Sequence, residues 1–317
     1  MNSIHQSSLD SWSTRLARRL HLNRQRQLKL AGLLLISPWL VGLLLLKLGP
    51  ILASFALSLT NFYLLTPNDF QFVGLDNYIN LLSDPATWDV LQRTLMLAFW
   101  IVPVQLFVSL LLAAALSGRT LRMRGTLRSL FFLPSIVPSA AAGFMFQGFF
   151  APGYGWFSHF ILDPLGLSGI IHLSGRGASL PLFIITSIWM VGPGMLIMLG
   201  AMQGVASEIY EAAQMDGASR LRSFFAMTLP LISPAIFFSL ILNLTAVFGG
   251  SMLLDRGYNF DTNQSSFDGY VYFYLFRLFR LGSASSLAWI FFFLVMALVL
   301  TLFLTAKFWV FYPEREQ

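Results

Sequence analysis

Cysteine is absent from the chain, which excludes disulfides and thiolate metal sites. Charge is scarce: Asp, Glu, Lys and Arg make up 11% of the 317 residues, against about 25% in a soluble globular domain. No G-x-x-x-x-G-K-[S/T] loop occurs anywhere, so the chain lacks that cradle for nucleotide phosphates. The four histidines (His5, His21, His159 and His172) all fall outside the long apolar runs, which argues against buried metal chemistry. No catalytic set and no metal site is expected.

What is present is apolar surface. Hydrophobic residues account for 56% of the sequence and the mean hydropathy is +0.69. Several runs exceed the roughly 20 residues that a spanning helix needs, and none alternates like a barrel strand. The fold class expected is an all-α membrane protein of six spans, at 30–58, 94–117, 129–150, 180–202, 230–252 and 285–306. The first is long and contains Lys47, Gly49 and Pro50. It is either one kinked, tilted helix or a span with an amphipathic extension. The polar stretch before it is too long for the basic region of a cleavable signal peptide.

Charge placement sets the expected orientation. With the N-terminus inside, segments 1–29, 118–128, 203–229 and 307–317 hold 14 of the 20 Lys and Arg residues. The short loop 118–128 alone carries Arg119, Arg122, Arg124 and Arg128. Under the positive-inside rule both termini lie in the cytoplasm. The +6 charge is thus a topology signal and not a nucleic-acid footprint. The domain reading is a basic N-terminal segment (1–29), a membrane domain (30–312) and a short tail (313–317). Outer segment 59–93 carries Asp69, Asp76, Asp84 and Asp89. Within it, Ser83-Asp84-Pro85 predicts a capped helix start that runs into the second span. Segments 151–179 and 253–284 either cap the bundle, touch a partner or form solvent-facing loops.

Apart from Lys47, the expected spans contain no Asp, Glu, Lys, Arg or His. Ion-coupled carriers usually keep ionisable groups at membrane depth. Such a core reads as a passive conduit that something else must drive.

The break Ser207 to Pro230 is the place for that drive. Ser207 is read as an N-cap, with Glu208 and Glu211 in the first turn, where carboxylates suit the helix dipole. Asp216-Gly217 ends this helix, Ser219 caps a second one through Phe224, Phe225 and Met227, and Leu229-Pro230 stops or kinks it. Small Ala212 and Ala213 would let a partner approach closely.

The spaced pattern Glu211-Ala212-Ala213, three residues, Gly217, nine residues, Met227-Thr228-Leu229-Pro230 resembles the EAA loop of binding-protein-dependent ABC importer permeases. Met227 stands where that pattern has isoleucine. Phe72-Val73-Gly74-Leu75-Asp76-Asn77-Tyr78, Arg128 to Pro134, Ser283 to Ala288 and Trp309-Val310-Phe311-Tyr312 extend the resemblance to the maltose-type sugar-uptake permeases. Gly249-Gly250-Ser251-Met252-Leu253 departs from the usual glycine-proline-rich sequence after the fifth span. The resemblance implies a type I importer permease fold, a second similar permease as partner, two ATPase subunits that bind ATP and magnesium, and an extracytoplasmic solute-binding protein. It also implies alternating access driven through the loop, with Glu211, Ala212, Ala213, Asp216 and Gly217 coupling to the ATPase and Arg220 as a charge partner.

For the solute path, Ser239, Asn243, Val247 and Gly250 share one face of the fifth span. Ser187, Trp189 and Met190 lie at comparable depth on the fourth. An amide inside a span must find a partner or line a wet cavity, and a tryptophan face suits a sugar ring. The same residues also fit helix bridging and packing. Two other classes remain open from the residues alone: a stand-alone channel or secondary carrier, and a membrane anchor for a cytoplasmic complex.

Overall fold

A computed structural model describes residues 24–118, 123–151, 153–171, 173–174, 177–248 and 266–311. The chain forms two compact units, Met1–Leu57 and Ser58–Gln317. The first holds helix α1, built from Arg24–Gly42, a π-helical stretch Leu43–Leu48 and Gly49–Ser58. Its apolar part, Leu28–Ser58, is long enough to cross a membrane. The π-helical stretch has a local cause. Pro50 has no N–H to give the carbonyl four residues back, and Gly49 donates to Leu44 O, five residues back.

The second unit contains α2 (Asp76–Ser83), α3 (Pro85–Ser117), α4 (Arg124–Phe132, extended by a 3-10 turn to Ile136) and α5 (Ser139–Phe150). A two-residue antiparallel ribbon pairs Leu173 with Ala178. There follow α6 (Leu180–Ile188), α7 (Gly192–Gln203), α8 (Ser207–Met215), α9 (Arg220–Leu231), α10 (Ser233–Phe248), α11 (Phe267–Phe276) and α12 (Leu281–Ala306). Helices α1, α3 and α12 are long and apolar enough to span alone. The other three spans are bent pairs: α4 with α5 by 95°, α6 with α7 by 51°, and α9 with α10 by 66°. With each bent pair counted as one span, the described residues hold six, and three of the continuous runs read from the sequence are broken helices.

Helix α3 is the hub, packing against α6, α7 and α10 along its length. It begins as the sequence predicts: Asp84 Oδ1 accepts from Ala86 N at 3.0 Å, and Pro85 takes the first helical position. Towards its other end, Ala113 and Leu116 pack with Met195, Met198 and Met202 of α7 and with Ile232. At the break between α6 and α7, α3 adds side-chain donors to carbonyls that also accept backbone bonds, Ser187 O from Met190 N and Val191 O from Met195 N. Gln105 Nε2 donates to Ser187 O at 3.0 Å, and Ser109 Oγ to Val191 O at 3.3 Å. Gly192 restarts the helix against the backbone of α4, where a Cβ would strike Phe131 O.

Two more π-helical stretches, Ser158–Leu162 and Phe224–Thr228, share the grammar of the first. Each is followed by one residue and then a proline, Pro164 and Pro230. In each the intervening residue donates five residues back, Asp163 to Ser158 O and Leu229 to Phe224 O.

At the N-terminal end of α3 the chain is pinned to the start of α12. Ser286 Oγ donates to Ser58 O at 2.8 Å, and Tyr63 bridges Arg280. A Cβ on Gly282 would land on Thr60 O. Beside this seam Tyr270 is buried, and that burial, with a hydrogen bond to Tyr274, pushes its phenol well above the usual range. It therefore stays a neutral donor next to Asp84.

Candidate coupling segment and solute path

The segment after α7 folds as two short helices closed by a defined turn. Ala206, and not Ser207, has the extended backbone of the N-cap, so Ser207 is already the first helical residue. Glu208 occupies the first turn, where its charge suits the N-terminal dipole. At the other end Gly217 takes φ +75°, Gly217 N donates to Gln214 O at 3.0 Å, and Ala218 N to Ala213 O at 2.9 Å. These two bonds make a Schellman turn, whose left-handed residue favours glycine. Ser219 then caps α9, accepting from Arg222 N at 3.3 Å.

The two helices are tied to each other across the turn. Tyr210 and Thr228 share a hydroxyl–hydroxyl hydrogen bond of 2.9 Å. Ala213 is 1% exposed, so it packs inward and leaves Ala212 alone of the two alanines on the outer face. Glu211, Ala212, Asp216, Gly217 and Arg220 are exposed. So are Met215, at 90%, and Leu221, at 70%. Phe224 packs beneath against the α3–α7 cluster, whereas Phe225 is exposed. Arg220 makes no ion pair with Glu211: among the described residues the ion pair is His159 with Asp163.

The residues proposed for a solute path divide into groups. Trp189 lies in the α6–α7 break, edge-on to Phe146 with ring centroids 5.3 Å apart, and Met190 packs on the same Phe146–Phe150 cluster. Ser187 Oγ bonds back to Ile184 O. Val247 belongs to a different cluster, with Leu97, Ala98 and Ile101 of α3. Gly250 lies outside the described residues. On α10, Ser239 Oγ and Asn243 Nδ2 are buried and have no hydrogen-bond partner. Gln147 Oε1 on α5 is buried in the same condition, beside Phe146 in sequence. Sequence reasoning passed over Gln147, although a lone amide in the apolar run 140–150 was the available signal. Buried polar groups without partners cost about 1–3 kcal/mol each; among the described residues Thr87 Oγ1 and the Nε atoms of Arg124 and Arg128 are in the same condition.

Residues 85–310 match the family described as binding-protein-dependent transport system inner membrane component. The chain belongs to that family. It is a multi-pass inner-membrane permease subunit of an ABC importer and not an enzyme, ATP hydrolysis being the task of partner subunits. The permease is 32% identical over 304 residues to the probable ABC transporter permease protein YesP of Bacillus subtilis, a match covering 92% of this chain and 95% of that one. It is 32% identical to the trehalose/maltose transport system permease protein MalF of Thermococcus litoralis, over 69% and 73% of the two chains. Its fold matches a crystal structure of a bacterial ABC transporter involved in the import of the acidic polysaccharide alginate, with TM-score 0.70 and 19% identity over 92% and 98% of the chains. A second structure of an alginate transporter, in complex with pentasaccharide-bound periplasmic protein, matches with TM-score 0.71 and 19% identity over 92% and 97%.

Proposed function

We propose that this permease carries a sugar or related polyhydroxy solute by alternating access, with α8 and α9 as the handle through which an ATPase subunit moves it. The observation that carries the handle is the Schellman turn at Gly217, which leaves Glu211, Ala212, Met215 and Leu221 exposed while the Tyr210–Thr228 bond joins α8 to α9 and Phe224 packs on the α3–α7 cluster. An exposed apolar tip ringed by charge suits a partner's groove. Asp216 and Gly217 set the turn, and Arg220 offers a charge beside it. Two ATPase subunits would bind ATP and magnesium, a second permease would complete the pathway, and an extracytoplasmic binding protein would deliver the solute. The handle and the basic segments would face the cytoplasm. The sugar class is supported by what the relatives are named for: arabinooligosaccharides, lactose, and trehalose with maltose. Within the bundle, Asn243, Ser239 and Gln147 are the groups that would meet solute hydroxyls, with Trp189 as an apolar face.

Gly217→Pro tests the handle. A Cβ at Gly217 meets nothing within 4 Å, so the effect is on backbone conformation and not on packing. Proline fixes φ near −65°, which the Schellman turn cannot accept. The variant is expected to assemble with its partners yet lose transport and stimulated ATPase activity by more than about tenfold, the effect of about 1.4 kcal/mol on the driven step. Wild-type uptake in reconstituted vesicles would sink the handle.

A further inference from the structure

The geometry points to a second solute site: a polar cleft between segment 61–84 and the α11–α12 turn binds a short oligosaccharide at the end of the bundle opposite the handle. This inference rests on the sugar reading above and adds a place to it. The cleft has a volume of about 680 Å³, inside the roughly 300–1,000 Å³ range of small-molecule sites. Its placement follows from α3. Asp84, which lines the cleft, caps the first turn of this 33-residue helix, whereas Phe224 of the handle packs near Ala113 and Leu116 at its far end.

The lining has mixed chemistry. Asn61, Asn80, Asp84 and Arg280 converge with the rings of Tyr63 and Tyr274. An ion site would show one sign of charge, and an apolar ligand would not need two amides. A sugar needs what is here: a carboxylate and amide oxygens for its hydroxyl donors, a guanidinium and amide nitrogens for its acceptors, and aromatic faces for its C–H surface. Asp84 Oδ1 is committed to the helix cap, but Oδ2 has only a long 3.4 Å contact from Tyr270. Arg280 is exposed and forms no ion pair among the described residues.

Both walls are held in place before any ligand arrives. Asn77 Nδ2 donates to Ser58 O at 2.9 Å and to Thr60 O at 2.7 Å. On the facing wall Phe279 sits at φ 55°, the one described residue other than glycine in left-handed backbone. Such a conformation costs on the order of 1 kcal/mol or more and persists where its surroundings enforce it. Here Leu64 N donates to Phe279 O at 2.9 Å and Arg280 N to Tyr274 O at 3.0 Å. The strained turn thus sets Arg280 across the cleft from Asn80 and Asp84.

The test uses the assembled importer in lipid nanodiscs without its binding protein, probed with maltotriose, arabinotriose and lactose by saturation-transfer NMR. Wild type is compared with Arg280→Ala and Asn80→Leu, the second of which fills the cleft. Both positions are exposed, so folding is not at stake, and Leu45→Ala serves as a reference. Wild type is expected to bind at least one probe. Both cleft variants should weaken that binding, Arg280→Ala by about tenfold for the loss of a hydrogen bond to a charged group and Asn80→Leu by about fivefold for the loss of a neutral one. Unchanged binding in both variants overturns the site. So does loss of binding-protein-stimulated ATPase with saccharide binding intact, which would make the cleft a seat for the binding protein instead. If wild-type vesicles import none of the three sugars, the sugar reading fails and the cleft with it. If they import one and the cleft ignores it, the cleft alone fails.

Discussion

The apolar part of α1 and helix α3 are nearly matched in length, 31 residues in one and 33 in the other, yet they differ in what they bury. Eleven residues of α3 are buried, among them Thr94, Ala98, Ser109 and Ala113. Among the described side chains of α1 the one buried residue is Ser58, at its very end. Runs such as Leu33-Leu34-Leu35 and Leu43-Leu44-Leu45-Leu46 leave bulky side chains on every face of α1. Lipid tails are as apolar as leucine, so hydrophobicity does not drive one spanning helix against another. Close approach and hydrogen bonds do, and small or hydroxyl side chains permit both. Apolar length identifies a span; the spacing of Ala, Ser and Thr identifies the helix around which the others assemble.

The comparison can be broken at several points. Ala113→Phe should be the most damaging, because Ala113 is fully buried against the methionines of α7. Overpacking of this kind costs about 1–3 kcal/mol or more, read as a lower unfolding temperature in detergent. Gly192→Ala comes next: its Cβ would meet backbone of α4 that cannot swing aside, and a similar but smaller fall is expected. Gln105→Leu should cost about 1 kcal/mol, the net value of the hydrogen bond to Ser187 O. Its distinguishing sign is faster amide exchange at 189–191. Asn243→Ala should leave the stability within about 0.5 kcal/mol of wild type, since its Nδ2 has no partner to lose, while uptake falls. Leu45→Ala should change neither, within about 0.5 kcal/mol. If it destabilises as much as Ala113→Phe, α1 is a packed element and the contrast with α3 is wrong.

Features decided within a few residues were legible in the sequence. Asp84-Pro85 starts a helix, Gly217 turns one, and Ser219 caps the next, because each acts on backbone groups one to four positions away. The cap at Ala206 was displaced by one residue because its extended torsions, and not a side-chain bond, end the helix. What escaped depends on distant partners. The break at Trp189–Val191 is stabilised by Gln105 and Ser109, 82 residues away in the chain. Ala213, expected to face a partner beside Ala212, is buried because only the packed structure decides which side of α8 is covered. Of the buried amides and hydroxyls without partners, Asn243 and Ser239 were candidates from the sequence and Gln147, isolated among phenylalanines, was not.

The proline-led π stretches carry a consequence of phase. Each holds one residue more than an α-helix would use, and one residue corresponds to about 100° of rotation. In α9 that surplus lies between the turn at Gly217 and the start of α10. It works as an angular setting, dialling the direction in which the exposed edge of α8 points relative to the spans behind it. Removing a single residue from Phe224–Thr228 would keep every side chain of α8 intact and aim them elsewhere.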